Sequence, residues 1–238
     1  MSVSMSAIPY FNTYLYTTVS LHPAQMDNNI YKHIKNNLVN KLQNRCYINY
    51  GYIVKIYEVK ERSGGRILPE DPSASAVYNV KFSCKLCYPI KNSVIVAKID
   101  TISDMLMRVN NGPIDIIING KGNVNKSIFT FDNKRNHWLI KKDNNNTTAT
   151  ETDTEKNKYI VIKPGMYVKV RIIDRKMVDK STKMICIGYL EDIANNDEIK
   201  ENITSQFDDN AEFLEREEVI KQQEEGIMEN QEEEIVKG

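Results

Sequence analysis

Between Gly51 and Phe82 the chain alternates strand-forming runs with backbone punctuation, and this alternation limits the fold more than any other feature. Gly51 to Val59 is rich in Ile, Val and Tyr, which suit a pleated, half-buried surface. Gly64 and Gly65 follow and predict a turn or bulge with positive φ. Pro69 and Pro72 lack a backbone donor, so their stretch reads as a loop or sheet edge. Tyr78-Asn79-Val80-Lys81-Phe82 resumes as a strand. By pattern alone this is an antiparallel meander.

The flanking segments extend the scheme. Tyr10 to Leu21 alternates, with Tyr14 and Tyr16 on one side and Leu15, Thr17 and Val19 on the other, and predicts a first strand ended by His22-Pro23. Asp27 is placed to cap a helix running to about Asn44. Ile30, Ile34, Leu38 and Leu42 form its apolar stripe, opposite Lys32, Lys35 and Lys41. Further on, Val94 to Ile99, Met105 to Val109 and Ile114 to Ile118 are short strands, with a hairpin signal at Asn111-Gly112-Pro113. Met166 to Val178 and Lys183 to Leu190 make a last hairpin, turned at Asp179-Lys180-Ser181. Five such strands predict a small closed barrel of the OB-fold type. Between Gly120 and Lys163, the residues Phe129, Phe131, Trp138, Leu139 and Ile140 fit either a strand or a short packed helix. The polar stretch 143–158 reads as a mobile insertion.

The formal net charge of zero hides a division. Glu191 to Gly238 holds 17 acidic and 4 basic residues, against 15 acidic and 28 basic before it. A basic body joined to an acidic tail points to a polyanionic partner for the body. Cys84 and Cys87 form a lone C-x-x-C without a second pair or a histidine at ligand spacing. Three residues apart on a strand, they face opposite ways, so no metal site is expected. His22, His33 and His137 lie in no nucleophile motif, and no phosphate-cradling loop is present. Neither catalysis nor a cofactor is expected. No apolar run approaches the ~20 residues of a bilayer span, and no secretory signal is visible at the N-terminus. The expectation is an intracellular chain.

A basic barrel with surface aromatics can hold single-stranded nucleic acid, phosphates on Lys and Arg and bases on aromatic faces. The candidates are Arg108, Lys121, Lys126, Phe129, Phe131, Lys134, Arg135, Trp138, Lys169 and Arg171. Phe129 and Phe131 stand one strand period apart, so both fit the core equally well.

Gly64-Gly65-Arg66-Ile67-Leu68-Pro69-Glu70-Asp71, followed by Tyr78-Asn79-Val80-Lys81-Phe82, resembles the tip domain of the stalk subunit of multisubunit RNA polymerases, the family of the seventh subunit of RNA polymerase II and its archaeal counterpart. Leu21-His22-Pro23, Gly51-Tyr52-Ile53 and the closing Cys186-Ile187-Gly188-Tyr189-Leu190-Glu191-Asp192 match in the same order. The resemblance is dense to about Ile99 and thin between Asn119 and Lys163. It implies an α+β tip domain over 1–91, an antiparallel sheet with one amphipathic helix, followed by an all-β OB-fold barrel of the ribosomal S-one type over 92–192. Residues 193–238 would be an acidic tail, disordered or conditionally helical. The implied function is a non-catalytic stalk subunit of a DNA-directed RNA polymerase. Gly64, Gly65, Arg66, Ile67, Leu68 and Pro69 would dock on the core near the clamp, and the basic barrel residues would meet nascent RNA. A small helical partner subunit belongs to the same expectation. The preference for Lys, Asn, Ile and Tyr, which adenine/thymine-rich codons encode, fits the version of a large DNA virus, working in a cytoplasmic viral factory or virion. The nucleus or an archaeal cytoplasm is the other setting. The competing function is a free OB-fold RNA-binding protein of translation or RNA decay.

Overall fold

The computed structural model describes residues 6–132, 137–141, 159–209 and 211–236. It is mostly β, built as two lobes joined along a long seam.

The first lobe begins with β1 (Tyr10–Leu21), whose inward residues Leu15, Val19 and Leu21 are buried. A single 3-10 turn at Pro23–Gln25 leads to α1 (Ile30–Leu42), which buries Ile34, Leu38 and Leu42. Asp27 does not cap this helix. The N-cap is Asn29, and Asp27 Oδ1 accepts the Asn29 backbone N–H at 2.8 Å in a turn ahead of it. The local side-chain-to-backbone bond satisfies Asp27 two residues before the N-cap. Then come β2 (Arg45–Tyr47), β3 (Gly51–Arg62), β4 (Arg66–Ile67) and β5 (Ala76–Cys87). The sheet order is β1-β5-β3-β2, with β4 also paired to β5. All these pairings are antiparallel. Helix α1 covers one face of this sheet.

The positive φ expected at Gly64-Gly65 lies instead at Gly51, with φ 135°. A Cβ there would stand 2.8 Å from the Cys87 carbonyl, so the start of β3 needs a bare backbone twice over. Cys84 packs in the core under α1 and Cys87 in the core toward the barrel. Burial pushes the Cys84 thiol up to about 12 and the Cys87 thiol well above its ordinary value, so both remain neutral.

The second lobe contains β6 (Val94–Ile102), β7 (Leu106–Asn111) and β8 (Ile114–Asn119). Asn111-Gly112-Pro113 turns β7 into β8, with Gly112 at φ 55°. Next, β9 (Phe129–Asp132), β10 (His137–Lys141) and β11 (Tyr159–Val161) form a separate sheet in the order β11-β10-β9. Phe129, Trp138 and Ile140 thus lie on strands and not on a helix, and all three are buried against the barrel core. The expected insertion at 143–158 lies outside the described residues. Finally, β12 (Tyr167–Lys176) and β13 (Met184–Ile193) close a five-stranded barrel in the order β12-β13-β8-β7-β6. Its pairs are antiparallel except β13 with β8. The interior is filled by Ile95, Ile99, Met107, Ile116, Val170 and Leu190, all at most 1% exposed.

Gly188 marks the tightest point of that barrel. A Cβ would meet the Val170 Cγ1 atom and come within 2.6 Å of Ile116 Cγ2. Neither β-branched neighbour can rotate away without opening the core. Gly188→Ala is therefore expected to cost about 1–3 kcal/mol by overpacking. The measurement is a melting temperature, and the expected fall is about 2–4 °C per kcal/mol for a chain of this size.

After Ile193 the chain forms α2 (Asn196–Phe207), β14 (Phe213–Leu214) and α3 (Arg216–Val236). Strand β14 joins β1 in parallel at Asn12 and Thr13. Helix α2 sits where the lobes meet, and there a buried polar network is fully bonded. Asn111 Nδ2 donates to the Val96 carbonyl at 2.6 Å and to Asn202 Oδ1 at 3.0 Å. Tyr10 Oη donates to Asn111 Oδ1 at 2.9 Å, and Gln206 Nε2 donates to the same oxygen at 3.1 Å. Backbone bonds stitch the seam further. Cys46 N–H donates to the Ser181 carbonyl at 2.7 Å and Lys180 N–H to the Cys46 carbonyl at 2.9 Å.

Candidate docking and nucleic-acid interface

The loop from Ser63 to Glu70 projects from the tip sheet. Gly64, Gly65, Arg66, Ile67, Leu68 and Pro69 are all exposed. A Cβ at position 65 would come within 2.7 Å of the Tyr78 ring, so a larger residue there would have to displace that ring. The Arg62 guanidinium lies over the rings of Tyr31 and Tyr78, 5.3 and 5.7 Å from their centroids, and fixes the root of the loop. Two backbone pairings to β5, at Arg66 and Ile67, hold its first half extended. Two aliphatic side chains are left outward, Ile67 at 59% and Leu68 at 44% exposure. Adjacent exposed aliphatics on a braced loop are suited to insertion into a partner's pocket.

The barrel candidates divide sharply. Arg108 on β7 is outward, with Nη2 2.6 Å from Asp115 Oδ2, and Lys183 Nζ reaches the same carboxylate at 3.0 Å. Lys121 and Lys126 are exposed near the loop after β8. Phe129 is 2% exposed, so it has no free face to stack on a base; the core side of its strand claims it. Phe131 is partly buried, with its ring centroid 5.2 Å from that of Trp138. Trp138 is buried and its Nε1 donates to the Ser103 carbonyl at 2.9 Å. Lys169 is 6% exposed, and its Nζ lies 2.6 Å from Glu198 Oε1 of α2. Arg171 is paired with Glu191. The tail and the end of β13 therefore cover two of the predicted phosphate-binding cations. Lys134 and Arg135 lie outside the described residues.

Sequence reasoning missed Lys183 and an apolar strip beside it. Ile117 on β8 pairs with Ile187 on β13 and with Arg108 on β7. Ile117, Ile185 and Ile187 point outward at 36%, 46% and 47% exposure. The signal was the period of two in Ile185 and Ile187, which set both opposite the buried Cys186. Arg108, Lys183 and these isoleucines form a face with cations on an apolar floor. Among the described residues, no group of His, Cys, Asp and Glu could hold a metal ion, and no helix is long and apolar enough to cross a membrane.

Residues 17–72, from the middle of β1 to just past the exposed loop, match the family described as "SHS2 domain found in N terminus of Rpb7p/Rpc25p/MJ0397". Most of the chain is similar to a protein called "Putative DNA-directed RNA polymerase subunit L376" from Acanthamoeba polyphaga mimivirus. The two are 31% identical over 212 residues, covering 86% of this chain and 97% of the relative. This chain belongs to the Rpb7 family of DNA-directed RNA polymerase subunits. Within that family, RNA polymerase II subunit rpb7 of Schizosaccharomyces pombe is 26% identical over 113 residues, 47% of this chain and 64% of the relative. The RPB7 subunit of Glycine max is 19% identical over 183 residues, 77% of this chain and 93% of the relative. The Rpb7-type tip coincides with the part of the sequence where the resemblance is densest, and the mimivirus match carries it through the barrel.

Proposed function

We propose that this chain is the non-catalytic stalk subunit of a DNA-directed RNA polymerase, docked through the Gly64–Pro69 loop near the clamp and holding its barrel toward nascent RNA. The observation that carries this reading is the match to the viral polymerase subunit over 86% of this chain. The strand order, with its one parallel pair between β8 and β13, supports an OB-fold barrel of the ribosomal S-one type. The exposed Ile67 and Leu68 support the docking role. The compartment is wherever that polymerase works; for a viral enzyme this is the cytoplasmic factory or the virion. Any small helical partner would have to share the body with the chain's own tail, which already covers part of both lobes. The deciding experiment is affinity purification of a tagged chain, with the large polymerase subunits expected among the co-purifying proteins. Their absence would return the free RNA-binding protein as the better reading.

RNA contact follows from field rather than from a stacking pocket. Arg108, Lys121 and Lys126 remain outward, with Lys183 beside them. Phosphate binding by such a surface releases about 0.7 counterions per neutralised charge on a single strand. The variant Arg108→Ala, Lys121→Ala, Lys126→Ala is expected to flatten the plot of log affinity for single-stranded RNA against log salt by about 2. An unchanged slope would move the contact to another face.

A further inference from the structure

The face of the tip sheet opposite α1 is an unusual surface. It carries Tyr14 and Tyr16 from β1, Lys55 and Tyr57 from β3, and Lys81 and Lys85 from β5, brought into neighbouring rows by the register of the three strands. Lys81 Nζ lies over the rings of Tyr14 and Tyr16, 5.1 and 5.3 Å from their centroids. Asp208, Asp209, Phe213 and Glu215 lie against this face. Lys85 Nζ donates to the Asp208 carbonyl at 2.8 Å. The Asp209 carboxylate pairs with Lys55 and accepts the Tyr57 hydroxyl at 2.9 Å. The Phe213 ring sits 5.5 Å from Tyr14 and 5.5 Å from Tyr57. Glu215 comes within 4.0 Å of Lys81.

We propose that this face is a docking site for an acidic, aromatic-anchored segment of another polypeptide, and that Asp208–Glu215 is the chain's own copy of that ligand, held in cis. Complementarity is matched group by group: acids meet the lysines, and one aromatic ring enters between two tyrosines. Asn12 Nδ2 also donates to the Ala211 carbonyl at 2.8 Å, but the segment's remaining hold is weak. Its ion pair to Lys55 is about half exposed on both sides, and such pairs contribute little. Its ladder with β1 is two residues long. By contrast, α2 before it is held by the buried Asn202 and by Lys169. The site also extends past the cis segment. A groove of about 490 Å³ whose lining includes Tyr16, Thr18, Glu61, Arg62, Asn79 and Lys81 continues the face, so a longer ligand, uncharged or basic where it meets Glu61, would gain contacts that the tail does not make. Such binding needs only the isolated chain and a peptide, with no polymerase present.

The test uses the full chain with Asp209→Ala and Phe213→Ala, which loosens the cis segment, and a fluorescent peptide of residues 206–218. A tethered ligand competes at an effective concentration on the order of millimolar. The opened chain is therefore expected to bind the peptide at least about tenfold tighter than the unaltered chain. Adding Lys55→Glu to the opened chain should abolish that gain; Lys55 is half exposed, so the fold should survive, and a thermal melt checks this. Equal binding by the opened and unaltered chains would overturn the proposal. So would equal binding of an oligonucleotide of the same net charge, which would make the face a phosphate site.

Discussion

Changing Ile67 and Leu68 together to aspartate is expected to remove this chain from its polymerase while leaving its fold intact. Both side chains are largely in water in the free chain, and the pairing of Arg66 and Ile67 to β5 is made by backbone. Stability should therefore change by no more than about 0.5 kcal/mol, as for other surface substitutions. Docking is different. Burying two such aliphatics in a partner contributes roughly 1.5–3 kcal/mol each, and placing carboxylates there adds a desolvation cost. A loss of at least about 100-fold in affinity follows. Co-purification of the large subunits with each variant measures it, beside a thermal melt of the free chain. Undiminished recovery would place the contact on another surface. Conservative changes at the same positions, such as Ile67→Val, should pass nearly unnoticed.

Glu198→Ala should release α2 from the body. Glu198 does two jobs. Its Oε1 pairs with the buried Lys169 at 2.6 Å, and its Oε2 accepts the Asn195 backbone N–H at 2.9 Å at the start of the helix. The side chains of Lys169 and Glu198 are 8% and 16% exposed, so the pair lies well inside the surface. Removing one member of a buried pair costs about 3–5 kcal/mol, because the other charge is stranded. Here the chain has a cheaper response: α2 can lift and return Lys169 to water. The expected signature is therefore loss of amide-exchange protection along Asn196–Phe207, with the barrel strands still protected. Lys169→Met combined with Glu198→Leu should restore most of that protection, since an apolar pair of similar volume avoids the desolvation cost. If Glu198→Ala left the protection unchanged, the polar network around Asn202 would be the true anchor.

These two sites also show what a single sequence can and cannot reveal. β1, α1 and the barrel strands announce themselves because each buries one face, and burial of one face imposes a period of two or 3.6 on the residues. The exposed loop reads as a turn from its glycines and prolines, and its docking role comes only from the family resemblance; neither Gly64 nor Gly65 takes a positive φ. The fate of Lys169 is not legible. It stands in an alternating strand as an apparent outward cation, and only its meeting with Glu198, 29 positions on, makes it interior. Asn202 and Gln206 likewise look like solvent-facing tail residues until Tyr10 and Asn111 are brought to them from far along the chain. Polar contacts between distant segments leave no local period, so the docking of the tail is out of reach of pattern. Phe129 is a choice between two faces that alternation cannot rank.

The seam between the lobes has a mechanical consequence. Two domains joined by a linker usually swing independently, and a tug on one is lost in the hinge. Here the turn at Lys180–Ser181 is bonded backbone to backbone with Cys46, Tyr10 is pinned to Asn111, and α2 is wedged across both. The molecule should therefore behave as one stiff body with no soft joint, so that a force applied to the barrel is passed on to the tip sheet.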